Sequence, residues 1–148
     1  MKSRKAILLV GLLIIITAIT AMIHLNTRQE IPENAIQISV NGEVFMLDIA
    51  KLEYEKVSGV RVNGKGEEIL VEGMGIKLEE VLKEVDITKY TSISVVSDDS
   101  YSAEVSAEEI KEDNKVYLLY EEKEMRLVVF GDENSKRSVS NVVQIIVD

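Results

Sequence analysis

The longest uninterrupted apolar run lies at the start of the chain, where residues 6–23 read AILLVGLLIIITAITAMI without a charge. At about 1.5 Å per residue a helix of this length measures roughly 27 Å, close to the ~30 Å hydrocarbon core of a bilayer, and Leu25 extends it. The pattern predicts a transmembrane helix over residues 6–25, behind a basic N-terminus at residues 1–5. Residues 26–34 are polar, show no period and contain the only proline, Pro32, so they read as a linker. From residue 35 the period becomes two. Ile36, Ile38 and Val40 alternate with Gln37 and Ser39, then Asn41-Gly42 precedes Val44-Phe45-Met46-Leu47, the signal of a β-hairpin closed by a type I′ turn. Asp48 is placed to cap a short helical turn through Leu52.

A second hairpin is expected over residues 57–73, with Val60 and Val62 on one face and Asn63-Gly64-Lys65-Gly66 as its turn. Residues 76–85 place Leu78, Val81, Leu82 and Val85 at i, i+3, i+4 and i+7, with Glu79 and Lys83 paired on the wet side, which predicts an amphipathic helix. Strands are expected over 91–97, 101–105, 116–120, 125–130 and 139–147. Ser106 and Glu109 have capping-box spacing for a short helix ending near Lys111. About eight strands with one clear helix and one or two short ones predict an α+β domain over residues 35–148, built on a mainly antiparallel sheet or sandwich.

Charge sharpens the orientation. Lys2, Arg4 and Lys5 precede the apolar run and a lone Arg28 follows, which predicts a cytoplasmic N-terminus and an extracytoplasmic C-terminal domain. A cleaved signal peptide would need a small-x-small site. Ala21 is paired with Ile19 and Ala18 with Ile16, so an uncleaved signal-anchor is the primary expectation and a secreted protein the alternative. Residues 29–148 carry 13 basic and 26 acidic side chains, a net of −13. Such a surface repels phosphate backbones, so no nucleic-acid partner is expected.

The chemistry is bounded by scarcity. With no cysteine, the chain has no disulfide, thiolate metal site, iron–sulfur ligation or lipidated cysteine. The single histidine, His24, sits at the exit of the apolar run, so no Ser-His-Asp triad is available. Gly73-Met74-Gly75 resembles the start of a phosphate-binding turn, but the third glycine of the motif falls at Leu78, so a strand-to-helix turn is expected. The acidic pairs at 98–99, 108–109, 121–122 and 132–133 lack EF-hand spacing and are expected in solvated loops. Tyr101, beside Asp98, Asp99 and Ser100, is the one aromatic residue that reads as a candidate for an exposed functional position, against the ordinary alternative of core or edge packing.

The order of these elements resembles the molybdopterin-binding domain of sulfite-oxidase-like oxidoreductases. The glycine-turned hairpin over 57–72 is similar to one in that family, and Gly75-Ile76-Lys77-Leu78-Glu79-Glu80-Val81-Leu82 looks like its G-x-x-L-x-x-L/V-L helix start. Ser97-Asp98-Asp99-Ser100-Tyr101 looks like its S-x-D-G-Y turn, Met125-Arg126-Leu127-Val128-Val129 like its P-L-R-L-V strand, and residues 139–147 like its closing K-x-V-x-x-I strand. The resemblance implies the same scaffold over most of residues 36–148. The family's catalytic members bind molybdenum through a cysteine thiolate and hold the pterin phosphate with basic residues and histidine. This chain has no cysteine, its one histidine precedes the domain, and Ser100 and Met125 replace the family's glycine and proline. The expectation is a scaffold without cofactor and without catalysis: a membrane-tethered binding or accessory module whose ligand-binding residues are Asp98, Asp99, Tyr101 and Arg126. Its partner would be a protein or a small ligand outside the cytoplasm. Two rival expectations are a redox-accessory enzyme holding a pterin or other cofactor without a thiolate, and a Ca²⁺-dependent surface or adhesion module.

Overall fold

The computed structural model describes residue 11 and residues 13–22 and 34–148. The chain divides into two compact units, Met1–Ile31 and Pro32–Asp148. In the first unit residue 11 and residues 13–22 are helical. The hydroxyls of Thr17 and Thr20 donate to backbone carbonyls one turn back, at 3.0 Å to Leu13 and 2.7 Å to Ile16, so neither needs a solvent partner. Among the described residues no helix is long and apolar enough to cross a membrane. The rest of the expected 6–25 span, His24 and most of the 26–34 linker lie outside the described residues.

The second unit is mixed α+β and mostly strand. Its nine strands are β1 (Ala35–Val40), β2 (Glu43–Asp48), β3 (Glu55–Val62), β4 (Glu68–Lys77), β5 (Ser92–Ser97), β6 (Ser102–Ser106), β7 (Val116–Glu121), β8 (Glu124–Val129) and β9 (Val142–Val147). Two helices, α1 (Leu78–Glu84) and α2 (Ala107–Lys111), and a 3₁₀ turn at Ile49–Lys51 complete it. A five-stranded sheet runs β2-β1-β9-β5-β6 and a four-stranded sheet runs β3-β4-β7-β8. All ladders are antiparallel except β1 with β9, which pair in parallel from Gln37↔Gln144 to Val40↔Val147. The first and last strands of the domain are therefore neighbours, a pairing that no local pattern announces.

Local chemistry explains most elements. Asn41 (φ 49°) and Gly42 (φ 85°) close the first hairpin with the left-handed residues a type I′ turn requires. Asp48 caps the 3₁₀ turn by accepting from the Ala50 amide at 3.0 Å. In the second hairpin the Asn63 side chain accepts from the amides of Lys65 and Glu67, and Ser106 and Glu109 form the capping box that starts α2. Two boundaries differ from expectation for one reason. Ile76 and Lys77 extend β4 instead of opening α1, because Ile76 lies opposite Leu118 and Lys77 opposite Tyr117 in the ladder to β7. Gly73-Met74-Gly75 is accordingly strand interior opposite Val57, Lys56 and Glu55, not a turn. The closing strand starts at Val142 rather than Val139, since Val139 bridges Leu127 of β8 in the other sheet before the chain crosses over.

β7 is buried along its first four residues on both faces. Val116 and Leu118 face the main core, formed with the inner face of the five-stranded sheet and the buried sides of α1 and α2. Tyr117 and Leu119 face a second cluster with Val57, Val71, Val128 and Phe130. The four-stranded sheet curls over that cluster: Phe130, just past β8, lies on Gly59 of β3, and the Gly131 amide meets the Val60 carbonyl at 3.5 Å. A Cβ on Gly59 would stand 2.5 Å from the Phe130 ring, so the curl requires glycine there. Gly59→Ala is expected to destabilise the domain by about 1–3 kcal/mol through forced displacement of Phe130. Urea unfolding followed by tyrosine fluorescence measures this, and an unchanged midpoint would show that the curl tolerates the methyl group.

Candidate functional site

The hairpin between β5 and β6 turns through Ser97-Asp98-Asp99-Ser100-Tyr101. Ser97 is the one buried polar residue among those described, and its hydroxyl donates to the Asp99 carboxylate and to the Tyr101 carbonyl. The Asp99 carboxylate also accepts from the Tyr101 amide at 3.0 Å. Donation from the Ser97 hydroxyl, then from the Tyr101 amide, holds the Asp99 carboxyl below the usual carboxylate range. Ser100 sits at φ 69°, a left-handed position that glycine favours. The Tyr101 ring is 47% exposed, and its hydroxyl donates to the Lys136 carbonyl in the connection between β8 and β9. Asp99 and Tyr101 are thus bound into the turn and its neighbour.

Asp98 takes a different position. Its amide donates to the Asn141 carbonyl at 3.1 Å, and the residue lines a cleft of about 200 Å³. Five chain segments meet there: the start of β1, the 3₁₀ turn at Ile49, the β5–β6 turn, the β7–β8 turn and the start of β9. Ile36, Ile49, Met125 and Val142 give the cleft an apolar floor, while Asp98, Lys123 and Glu124 place charges of both signs at its rim. None of these three side chains makes a hydrogen bond or ion pair within the described residues. The β7–β8 turn is left-handed at both Glu122 (φ 50°) and Lys123 (φ 72°), without a glycine or asparagine to ease it, at a cost of roughly 1 kcal/mol or more per residue. Ile49 is fixed from behind by the Tyr54 hydroxyl, which donates to its carbonyl at 2.6 Å. Burial pushes the Tyr54 phenol up to about 12.

Arg126 lies elsewhere. It stands opposite Leu119 in the β7–β8 ladder, one residue from Met125 and therefore on the other face of β8 from the cleft floor. Its guanidinium donates to Glu121 at 3.1 Å. Of the four residues named from sequence, the structure gives Asp98 to the cleft, Asp99 and Tyr101 to the turn, and Arg126 to an ion pair with Glu121.

The residue that sequence reasoning passed over is Arg137, in the polar stretch between β8 and β9. Its fork donates to both oxygens of Asp132 and, at 2.8 Å, to Glu109 of α2. Lys115 adds ion pairs to Glu109 at 3.7 Å and to Glu112 at 2.9 Å. The acidic pairs at 108–109, 121–122 and 132–133 therefore include structural partners of arginine, and among the described residues no group of three or more histidine, cysteine or acidic side chains is arranged to hold a metal ion. No periodicity marks residues 131–141, so only tertiary proximity identifies this hub.

No protein-family model matches the sequence, and no curated protein matches it.

Donation from Arg137, and to a lesser degree from the Ser106 amide, holds the Glu109 carboxyl down to about 2. A folded-state pKa below the unfolded value of about 4.5 stabilises the domain fully above pH 4.5, and that contribution is lost as pH falls from 4.5 towards 2. Glu109→Gln is expected to lower stability by roughly 1–2 kcal/mol at pH 7, allowing for partial solvation of the pair, and by nearly nothing at pH 2. Urea midpoints for both proteins across that range are the measurement. A constant difference would place the stabilisation in something other than the charge.

Proposed function

We propose that this protein is a non-catalytic binding or accessory module, tethered to the cell membrane by residues 6–25, with its N-terminus cytoplasmic and residues 35–148 outside. The single observation that carries the reading is how the ionisable groups are distributed. Asp99, Tyr101, Glu109, Arg126, Asp132 and Arg137 are held in structural pairs, while Asp98, Lys123 and Glu124 line a cleft with an apolar floor. A cleft of about 200 Å³ lies below the 300–1,000 Å³ typical of small-molecule sites. It is of the size to take one side chain of a partner protein. The anchor reading is supported by the uncharged run, the basic residues before it, and the two threonine hydroxyls satisfied within the helix.

The sulfite-oxidase-like scaffold belongs to the same proposal. Its support is the order of elements and Ser100, which stands where the family's D-G-Y turn has glycine and is left-handed at φ 69°, a conformation that glycine favours. That family's cofactor does not fit this chain: no thiolate is available to ligate molybdenum, and the cleft beside the turn is smaller than a small-molecule site.

The test joins location to binding. The full chain in its native membranes is expected to resist alkaline extraction, and a C-terminal tag is expected to be protease-accessible from outside the cell. Chemical cross-linking there is expected to yield an adduct that Asp98→Ala with Lys123→Ala abolishes and Arg126→Ala retains. Loss of the adduct in all variants, or in none, removes the cleft from the reading. A metal or chromophore in the purified chain would favour the redox rival, and a melting temperature raised by millimolar Ca²⁺ the adhesion rival.

A further inference from the structure

Alternation along the three central strands of the five-stranded sheet sends Ile36, Ile38, Ile93, Val95, Ile145 and Val147 into the main core. The middle of the opposite face is formed by Gln37 and Ser39 on β1, Gln144 and Ile146 on β9, and Ser94 and Val96 on β5, aligned across the ladders as Gln37–Gln144–Val96 and Ser39–Ile146–Ser94. Val44 and Met46 of β2 extend these rows at one margin, Ser102 and Glu104 of β6 at the other. Among the described residues of the second unit no helix or strand packs across this face. In a domain with 13 basic and 24 acidic side chains over residues 35–148, a net of −11, it is nearly free of charge, with only Asp48 and Glu104 on it, one on each edge strand.

We infer that this face is where two copies of the chain meet, related by a two-fold axis along β9. Three observations select that occupant and that axis. The first is electrostatic: two domains at −11 repel, and the central strands of this face carry no like charges to oppose one another. The second is the placing of the edge charges. Glu104 lies on β6 at one margin and Asp48 on β2 at the other, and β9 is the middle strand. Rotation about β9 lays β2 of each copy over β6 of the other, so that the two copies' Glu104 stand at opposite margins and Met46 of one copy lies over Ser102 of the other. The third concerns the tethers. An axis along the strands keeps both copies of β1 starting at the same end, as two chains anchored in one membrane require. An axis across the strands would stack β2 on β2 and send the starts of β1 to opposite ends. This third argument rests on the anchor proposed for residues 6–25.

The footprint sets the strength. Five strands about 4.8 Å apart and six residues long cover roughly 24 by 20 Å, or about 480 Å² per copy. The total, about 1,000 Å², is at the lower end for specific interfaces. The dimer is accordingly weak for free chains and is favoured by confinement of both copies to one bilayer.

The absence of cysteine makes introduced thiols unambiguous. On the axis, Gln144 faces its own counterpart. Because stacked sheets lie about 10 Å apart, beyond the reach of a direct disulfide, the reagent is a short bismaleimide. Full-length Gln144→Cys in native membranes is expected to give a product of twice the 16.6 kDa chain mass. Met46→Cys alone is expected to stay monomeric, but to link when co-expressed with Ser102→Cys. Adding Ser94→Glu to Gln144→Cys is expected to cut the linked fraction about tenfold, with unchanged circular dichroism showing that the fold is intact. The inference is overturned if Gln144→Cys stays monomeric, if Met46→Cys links to itself as efficiently, if Ser94→Glu has no effect, or if the adduct has the mass of a different protein. Alkaline extraction separates the two proposals. A released chain that still links removes the anchor and keeps the dimer, whereas a retained chain that does not link removes the dimer alone.

Discussion

Both halves of the domain depend on burial of β7 on its two faces. Val116 and Leu118 tie it to the five-stranded sheet and both helices, while Tyr117 and Leu119 tie it to the cluster under the curled four-stranded sheet. At roughly 1.5–3 kcal/mol for each large apolar side chain removed from water, these four residues alone are comparable to the net stability of a small domain. Without disulfides, this apolar sharing is what joins the two sheets. The close approach of Phe130 to Gly59, and of Gly75 to Leu119, follows from curling one sheet tightly enough to have two cores.

That architecture leaves the long β8–β9 connection without a core of its own, and polar chemistry holds it. Arg137 grips Asp132 and Glu109, the Tyr101 hydroxyl reaches the Lys136 carbonyl, and Val139 bridges Leu127. These contacts fix the start of β9, and with it the Asn141 carbonyl that receives the Asp98 amide. The cleft at this end exists because segments from both sheets and the 3₁₀ turn at Ile49 are brought together. Its geometry is therefore set by partners far away in sequence, which is why its rim combines Asp98 with Lys123 and Glu124 rather than with Arg126.

Elements with local causes were legible. The Asn41-Gly42 hairpin, the Asp48 cap, the Asn63 turn and the Ser106–Glu109 capping box each rest on a side chain or a φ value set within four residues. Elements with distant causes were not. Ile76 fits the helical period, yet Leu118 across the ladder keeps it in β4, and the parallel seating of β1 on β9 has no signal in either strand. For the candidate site, the position of the Asp98–Tyr101 turn is marked in the sequence, while the exposure of Tyr101 is set by its packing, and strand alternation sends Arg126 to Glu121 instead of to that turn. Arg137 lay in a stretch without period.

By itself the sequence determined the uncharged N-terminal run, the net charge of −13 on residues 29–148, the absence of any thiolate, and the mixed α+β class, because each follows from composition or from short-range periodicity. Tertiary structure alone decided which acidic groups are spent on arginines, which three charged side chains meet at the cleft, and that one sheet face is left nearly uncharged. Those outcomes depend on register between strands separated by up to about a hundred residues, and a register shift of one residue would turn every side chain to the other face.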